Sequence, residues 1–198
     1  MADFTHNTED TIHQIARHYR EIIRMIGEDP TREGLVDTPE RAAKALYYLT
    51  RGYRQNITDV INGAPFEAPS SDMVVVRDIE FYSLCEHHIL PFFGKVSIGY
   101  IPGEKIVGLS KVARIVDVFA RRLQVQERFA VELCNTLQRE LKAKGVIVCC
   151  RARHLCMQMR GVQKQNPMTV TTSSAGVFAD DQSLREQFFA SIQSPLDV

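Results

Sequence analysis

Cys85 and His88 stand three residues apart in Leu84-Cys85-Glu86-His87-His88, a spacing that lets a thiolate and an imidazole reach one ion from a single turn. Alone, CxxH is a weak signal. A second segment strengthens it: in His154-Leu155-Cys156-Met157-Gln158-Met159-Arg160, strand alternation would put His154, Cys156, Gln158 and Arg160 on one face and the apolar residues on the other. Cys85, His88 and Cys156 then form a Cys2His donor set that leaves the fourth tetrahedral position to water, as in catalytic rather than structural zinc sites. Such a site acidifies its water to a pKa of about 7 and makes a nucleophile at neutral pH. His87 and His154 remain beside it with an intrinsic pKa suited to proton transfer. The other reading is a closed structural site with His87 or His154 as fourth ligand.

A second constellation suits anions. Leu109-Ser110-Lys111-Val112-Ala113-Arg114 reads as a helix start capped by Ser110, with Lys111 and Arg114 three apart on one side. Free N–H groups and the macrodipole favour phosphate there, and Arg160 would add a third cation. An ordinary solvated helix face explains the same pair. Gln126-Glu127 opens the next helix, where an acid also suits the dipole. A carboxylate beside an amide can equally take a base with adjacent N–H and NH2 donors, as guanine has. Residue chemistry alone therefore points to a zinc-dependent hydrolase of a phosphorylated substrate.

The elements that must position these groups follow from periodicity. Residues 8 to 27 read as an amphipathic helix, with Ile12, Ile15, Tyr19, Ile22, Ile23 and Ile26 on one face. Thr38-Pro39-Glu40 reads as N-cap, first-turn proline and first-turn acid of a second helix ending at Gly52. A turn-rich segment from Asn62 to Asp72 follows, so the chain divides into an N-terminal helical segment, 1–62, and a catalytic domain, 63–198. The latter reads as strands at Met73 to Phe81 and Val96 to Tyr100, then helices from Ser110 to about Leu123 and from about Gln126 to Lys144. Strands at Val146 to about Arg160 and Thr169 to Thr172 and a helix from about Asp181 to Ile192 complete it. That order is an α+β fold with helices on one sheet face.

Bulk composition sets limits. In 198 residues, 44% hydrophobic residues suffice for a core, and 24 basic against 24 acidic residues give no broad cationic field for nucleic acid. The start MADFTHNTED lacks the basic and apolar runs of a signal peptide, and no apolar stretch approaches the ~18 residues of a membrane span, so a cytoplasmic protein is expected. In that compartment the five cysteines are core filler, ligands or nucleophiles rather than disulfides. Cys134 lies on an apolar helix stripe and Cys149-Cys150 in an apolar strand, which makes all three core residues. His6, His13 and His18 lack metal-type neighbours and read as surface or packing residues.

Taken together, SLCEHHILPFFGKVSIGYIP, VGLSKVARIVDVFARRLQVQERF and HLCMQMRGVQKQNPMTVTTSSAGVF resemble the signature blocks of type I GTP cyclohydrolase, in order and spacing, over about residues 38 to 190. The resemblance implies the tunnelling fold, an antiparallel sheet with two helices on one face, preceded here by the helical pair. It also implies a toroidal homodecamer whose subunit sheets join into a barrel with active sites at interfaces. Its activity would convert GTP to 7,8-dihydroneopterin triphosphate and formate, the first committed step towards folate or other pterins.

Carried over, the family's ligands for one Zn2+ per subunit fall on Cys85, His88 and Cys156, and its proton-transfer histidines on His87 and His154. Gln126 and Glu127 would hold the guanine edge, and Lys111, Arg114 and Arg160 the triphosphate. Ser110 would assist the ribose rearrangement, and Arg41 would reach a neighbouring subunit's triphosphate. The implied mechanism is zinc hydroxide attack on purine C8 while His154 protonates N7, then loss of C8 as formate. His87 would help open the ribose before the pterin ring closes. Departures from the family pattern are small, with Gln165 and Pro167 where methionine and serine are common. Two alternatives stay open: another tunnelling-fold enzyme acting on a purine or pterin, and a nucleotide-binding protein with structural zinc.

Overall fold

The computed structural model describes residues 8–61, 66–67 and 72–193. His6, the domain boundary expected after 62, and the turn residues Gly63, Pro65 and Pro69 lie outside the described residues. Internal contacts divide the chain into two units, through Arg54 and from Gln55 onward.

In the first unit, α1 (Thr8–Met25) and α2 (Thr38–Leu49) pack against each other, burying Ile23 on one helix and Pro39 and Ala43 on the other. The cap of α2 is Asp37, one residue earlier than expected. Pro39 occupies the first turn, where its missing N–H costs nothing. Gly52 falls in a 3-10 turn, Arg51–Arg54, because the helix has already ended at Leu49 with Thr50 as its C-cap.

The second unit is a twisted five-stranded sheet with strand order β5-β2-β3-β6-β7. The long strands are β2 (Val74–Cys85), β3 (Pro91–Ile101), β6 (Gly145–His154) and β7 (Thr169–Gly176), all antiparallel neighbours. Short β5 (Leu123–Gln124) adds a parallel edge to β2. A bulge between Val76 and Ile79 puts Asp78 at φ 58° and shifts the β2–β3 register by one residue, from Val76 opposite Ile98 to Ile79 opposite Val96. Minor elements are α3 (Ile57–Ile61), and β1 (Phe66–Glu67) paired with β4 (Lys105–Ile106).

Two helices cover one face, as the periodicity requires: α4 (Leu109–Ala120) and α5 (Gln126–Leu141). Val112, Ile115, Val116 and Phe119 of α4 and Ala130, Leu133, Cys134 and Leu137 of α5 are buried against Phe81, Ile98, Val148 and Cys150 of the sheet. The other face carries one helix as well, a difference from the expected layout. There α8 (Gln182–Gln193), entered through α7 (Val177–Asp180), packs Phe188 and Ile192 over Ile147 and Cys149. Consecutive strand residues thus serve opposite cores, and Cys149 and Cys150 are both buried fillers.

Two local expectations fail for identifiable reasons. Leu109–Ala120 begins after Gly108, and Ser110 makes no capping bond, since it already lies inside the first turn. Strand β6 ends at His154 rather than Arg160, and α6 (Leu155–Gln158) follows. The next ladder position on β3 is Pro91, which has no N–H, and β7 begins only opposite Ala152. With no donor from Pro91 and no β7 partner at this position, the chain coils instead. Cys156, Gln158 and Arg160 therefore do not share a strand face with His154.

A candidate metal centre at the sheet end

Cys85 ends β2, and the turn Glu86–Ile89 returns the chain to β3. Cys85 N–H donates to Leu90 O at 2.8 Å, and both His88 and Ile89 N–H donate back to Cys85 O. This hydrogen-bonded turn aims His88 Nδ1 at Cys85 Sγ, 3.9 Å away. Two strands across, α6 delivers Cys156, and one ligand atom from each of Cys85, His88 and Cys156 lies within 4.8 Å of the others. Among the described residues these three are the group with metal-ligand geometry.

The donor set fits a zinc-sized ion. With Zn–S of about 2.3 Å and Zn–N of about 2.1 Å, tetrahedral ligand atoms stand about 3.6 Å apart. Burial, and then the neighbouring Cys85 sulfur, push the Cys156 thiol above its ordinary pKa. A cation beside the Cys156 sulfur would relieve that penalty. Cys85 is 5% exposed while His88 is open, so the centre sits at the sheet's rim with one side towards solvent.

The turn is braced from behind. Glu86 N–H donates to Gln124 O, and the Glu86 carboxylate accepts from Arg128, which holds its pKa below the usual value. Arg128 also donates to Gln124 Oε1 at 3.1 Å. Residue types alone gave Arg128 no role.

His87 lies 65% exposed, edge-on to His88 with ring centroids 6.1 Å apart. His154 is held more tightly. Its ring stacks on Phe92 at 4.7 Å with planes 5° apart, and its Nε2 lies 2.8 Å from Gln126 Oε1. Burial lowers its pKa, while the Glu127 carboxylate acts in the opposite sense, which also places Glu127 within electrostatic reach of the ring. Gln126 itself is 1% exposed, and its amide nitrogen is spent on Cys150 O, Thr169 O and Thr171 Oγ1. Both polar atoms of its amide have partners inside the protein, and the oxygen, which has two lone pairs, spends one of them on His154. Glu127, by contrast, is exposed.

Arg160 Nη1 donates to His88 Nε2 at 2.7 Å. A guanidinium only donates, so Nε2 accepts in this bond. A metal taken on Nδ1 would shift the imidazole proton to Nε2 and so release Arg160. Lys111 and Arg114 occupy the first two turns of α4, and Ser110 is exposed beside them. Arg41 lies in the first unit, 76% exposed and paired with Asp37 at 2.9 Å. The loop after α6 is pinned by Gln158 and Gln165, each donating to the other's carbonyl at 2.8 and 3.0 Å, so the unusual Gln165 has a structural task.

No helix among the described residues is long and apolar enough to cross a membrane. Comparison with known proteins adds the lineage. The family model for GTP cyclohydrolase I matches residues 15–193. A relative from Campylobacter jejuni named GTP cyclohydrolase 1 is 52% identical over 177 residues, 89% of this chain and 93% of the relative. One from Pseudomonas aeruginosa, named GTP cyclohydrolase 1 1, is 53% identical over 174 residues, 88% of this chain and 94% of its own. A Drosophila melanogaster GTP cyclohydrolase 1 is 52% identical over 186 residues, 94% of this chain and 57% of that longer protein. With a family model spanning nearly its whole length and half its residues shared with such relatives, this chain belongs to the GTP cyclohydrolase I family.

Proposed function

We propose that this protein hydrolyses GTP to 7,8-dihydroneopterin triphosphate and formate, opening the route to folate or another pterin. The observation that carries the reading is a three-donor centre that does not include His154, whose imidazole is bonded to Gln126 instead of completing the donor set. That arrangement suits a catalytic site with an open position better than a closed structural one.

Cys85, His88 and Cys156 would hold one zinc ion per chain. When bound, zinc supplies Lewis acidity and makes a nucleophile available near neutral pH. The protein's residues do the rest. Glu127 takes the guanine N1–H and 2-amino group, fixing which edge of the purine enters. His154 delivers a proton to purine N7 as C8 is attacked, and burial favours its neutral form between turnovers, ready to be recharged. His87, at the solvent side, moves protons on the ribose as it opens. Lys111, Arg114 and Arg160 bind the triphosphate, and Ser110 assists the rearrangement of the sugar carbons. Arg41 would reach the triphosphate from a neighbouring copy, which fits a homodecamer with barrel-forming sheets and interface active sites. The N-terminal segment 1–62 would then serve assembly and 63–198 catalysis, in the cytoplasm.

The test is to incubate zinc-loaded protein with GTP and follow formate and dihydropterin absorbance, with and without a chelator. Formation of neither product by the loaded protein would overturn the reading. His154→Ala should keep its zinc and lose turnover; loss of the metal would make His154 a ligand and the site structural.

A further inference from the structure

The hydrogen-bond pattern at the start of α5 decides which nitrogen of His154 carries a proton. The Gln126 amide nitrogen lies 3.1 Å from Cys150 O, 3.0 Å from Thr169 O and 3.2 Å from Thr171 Oγ1. Two of these partners are backbone carbonyls, which only accept. Flipping the amide would set its oxygen against both in a site 1% exposed, so the NH2 must face β6 and β7. The amide oxygen therefore points the other way, 2.8 Å from His154 Nε2, and it too only accepts. Nε2 must then carry a hydrogen. A neutral imidazole has one ring proton, which leaves Nδ1 bare.

The ring is fixed in a second direction by Phe92, stacked at 4.7 Å and 5°. Phe92 and His154 are register partners on β3 and β6, so the stack is built into the ladder. One partner constrains the ring's face and the other its edge.

We propose that Gln126 is a positioning residue that holds His154 in the Nε2–H tautomer, so that Nδ1 is the nitrogen that exchanges a proton with the substrate. The proposal rests on the GTP-hydrolysing reading above, in which His154 is the proton donor. It reassigns Gln126 from substrate recognition to control of the acid. In the charged ring both nitrogens carry hydrogens: Nε2–H stays on Gln126 and Nδ1–H goes to purine N7. After transfer the ring is left in the tautomer that Gln126 already favours, so no ring flip separates one turnover from the next.

Two measurements test this on the full-length, zinc-loaded protein. Neutron diffraction from deuterated crystals at pH 8, where the ring is neutral, should show deuterium on His154 Nε2 and none on Nδ1. Deuterium on Nδ1 with a bare Nε2 would overturn the proposal, and this reading needs no variant. Gln126→Met keeps the length of the side chain and removes the acceptor. It should lower kcat about 100-fold, the low end of what general acid–base catalysis contributes, with KM for GTP within about threefold and one zinc per chain retained. A merely structural role would lower zinc content and kcat together, and a guanine contact would raise KM with kcat preserved; either outcome overturns the proposal. Should Gln126→Met not fold, the neutron result decides. Absence of GTP turnover in the unaltered protein would sink the proposed function while leaving the tautomer assignment to stand or fall on the neutron map.

Discussion

Replacing Gly94 by alanine tests how the sheet holds the metal donors. Gly94 lies on β3 opposite Phe81 of β2 and Ala152 of β6, between the strand that carries Cys85 and the strand that leads to Cys156. A Cβ there would meet Arg151 O at 1.9 Å and Ala152 Cα at 2.7 Å. Real Cβ contacts essentially never fall under 3.0 Å, so β6 must retreat by about 1.1 Å, and backbone atoms cannot rotate out of the way. A ladder bond of about 2.9 Å stretched that far exceeds hydrogen-bond length. Two such bonds at about 1 kcal/mol each, added to about 1–3 kcal/mol of overpacking, give a destabilisation of about 3–5 kcal/mol. For a chain of this size that lowers Tm by about 6–20 °C. The functional effect is sharper, since metal sites tolerate displacements of about 0.2 Å and His154 and Cys156 lie two and four residues beyond Ala152. Gly94→Ala should therefore show a lower melting point by calorimetry and less than one zinc per chain by plasma emission. Gly108→Ala, where an added Cβ meets nothing within 4 Å, is the control. A Gly94→Ala protein that melts within about 2 °C of the unaltered chain and binds zinc equally well would refute the reasoning.

Other outcomes follow from the same geometry. Arg128→Ala removes the brace on Glu86 and should weaken zinc binding about 10-fold in chelator competition; an unchanged affinity would leave Arg128 outside the metal centre. Glu28 accepts from Arg32 Nε and Nη2 and from Asp29 N–H, which lowers its pKa to about 2 from 4.5. Its contribution to the first unit is complete above pH 4.5 and is lost as pH falls through about 2, so carboxyl NMR should give a midpoint near 2 and not near 4.5. Among the thiols, Cys150 is fully buried with its pKa pushed up to about 12, and Cys134 and Cys149 are buried with raised values. Alkylation of chelator-treated, folded protein should label half-buried Cys156 first and these three last; early labelling of Cys150 would contradict the burial assigned to it.

How far the site could be read from the chain depended on distance. Cys85 and His88 were legible because their spacing is itself the geometry: one turn carries both. The helices α4 and α5 were legible because their buried stripes follow the helical period. The end of β6 was not, since what stops it is a proline 63 residues earlier on a neighbouring strand. Local alternation continues through Arg160 and gives no warning. The partners of Gln126 were hidden for a similar reason. Beside Glu127 at a helix start it looks like half of a base-reading pair, and only the approach of β6 and β7 consumes its amide. Charge neutrality masked the local cations without excluding them.

The separation of the metal donors along the chain also sets a timetable for synthesis. Cys156 is made 71 residues after Cys85. At about 5–20 residues per second, a ribosome leaves Cys85 and His88 without their third partner for about 4–14 s. Even then the partner arrives only when β6 has paired with β3. A growing chain thus presents an incomplete chelator first, and ions that are content with two ligands have a head start over zinc. Correct metal loading is consequently a matter of what the cell makes available while the second half of the sheet is being translated, as well as of affinity in the finished protein.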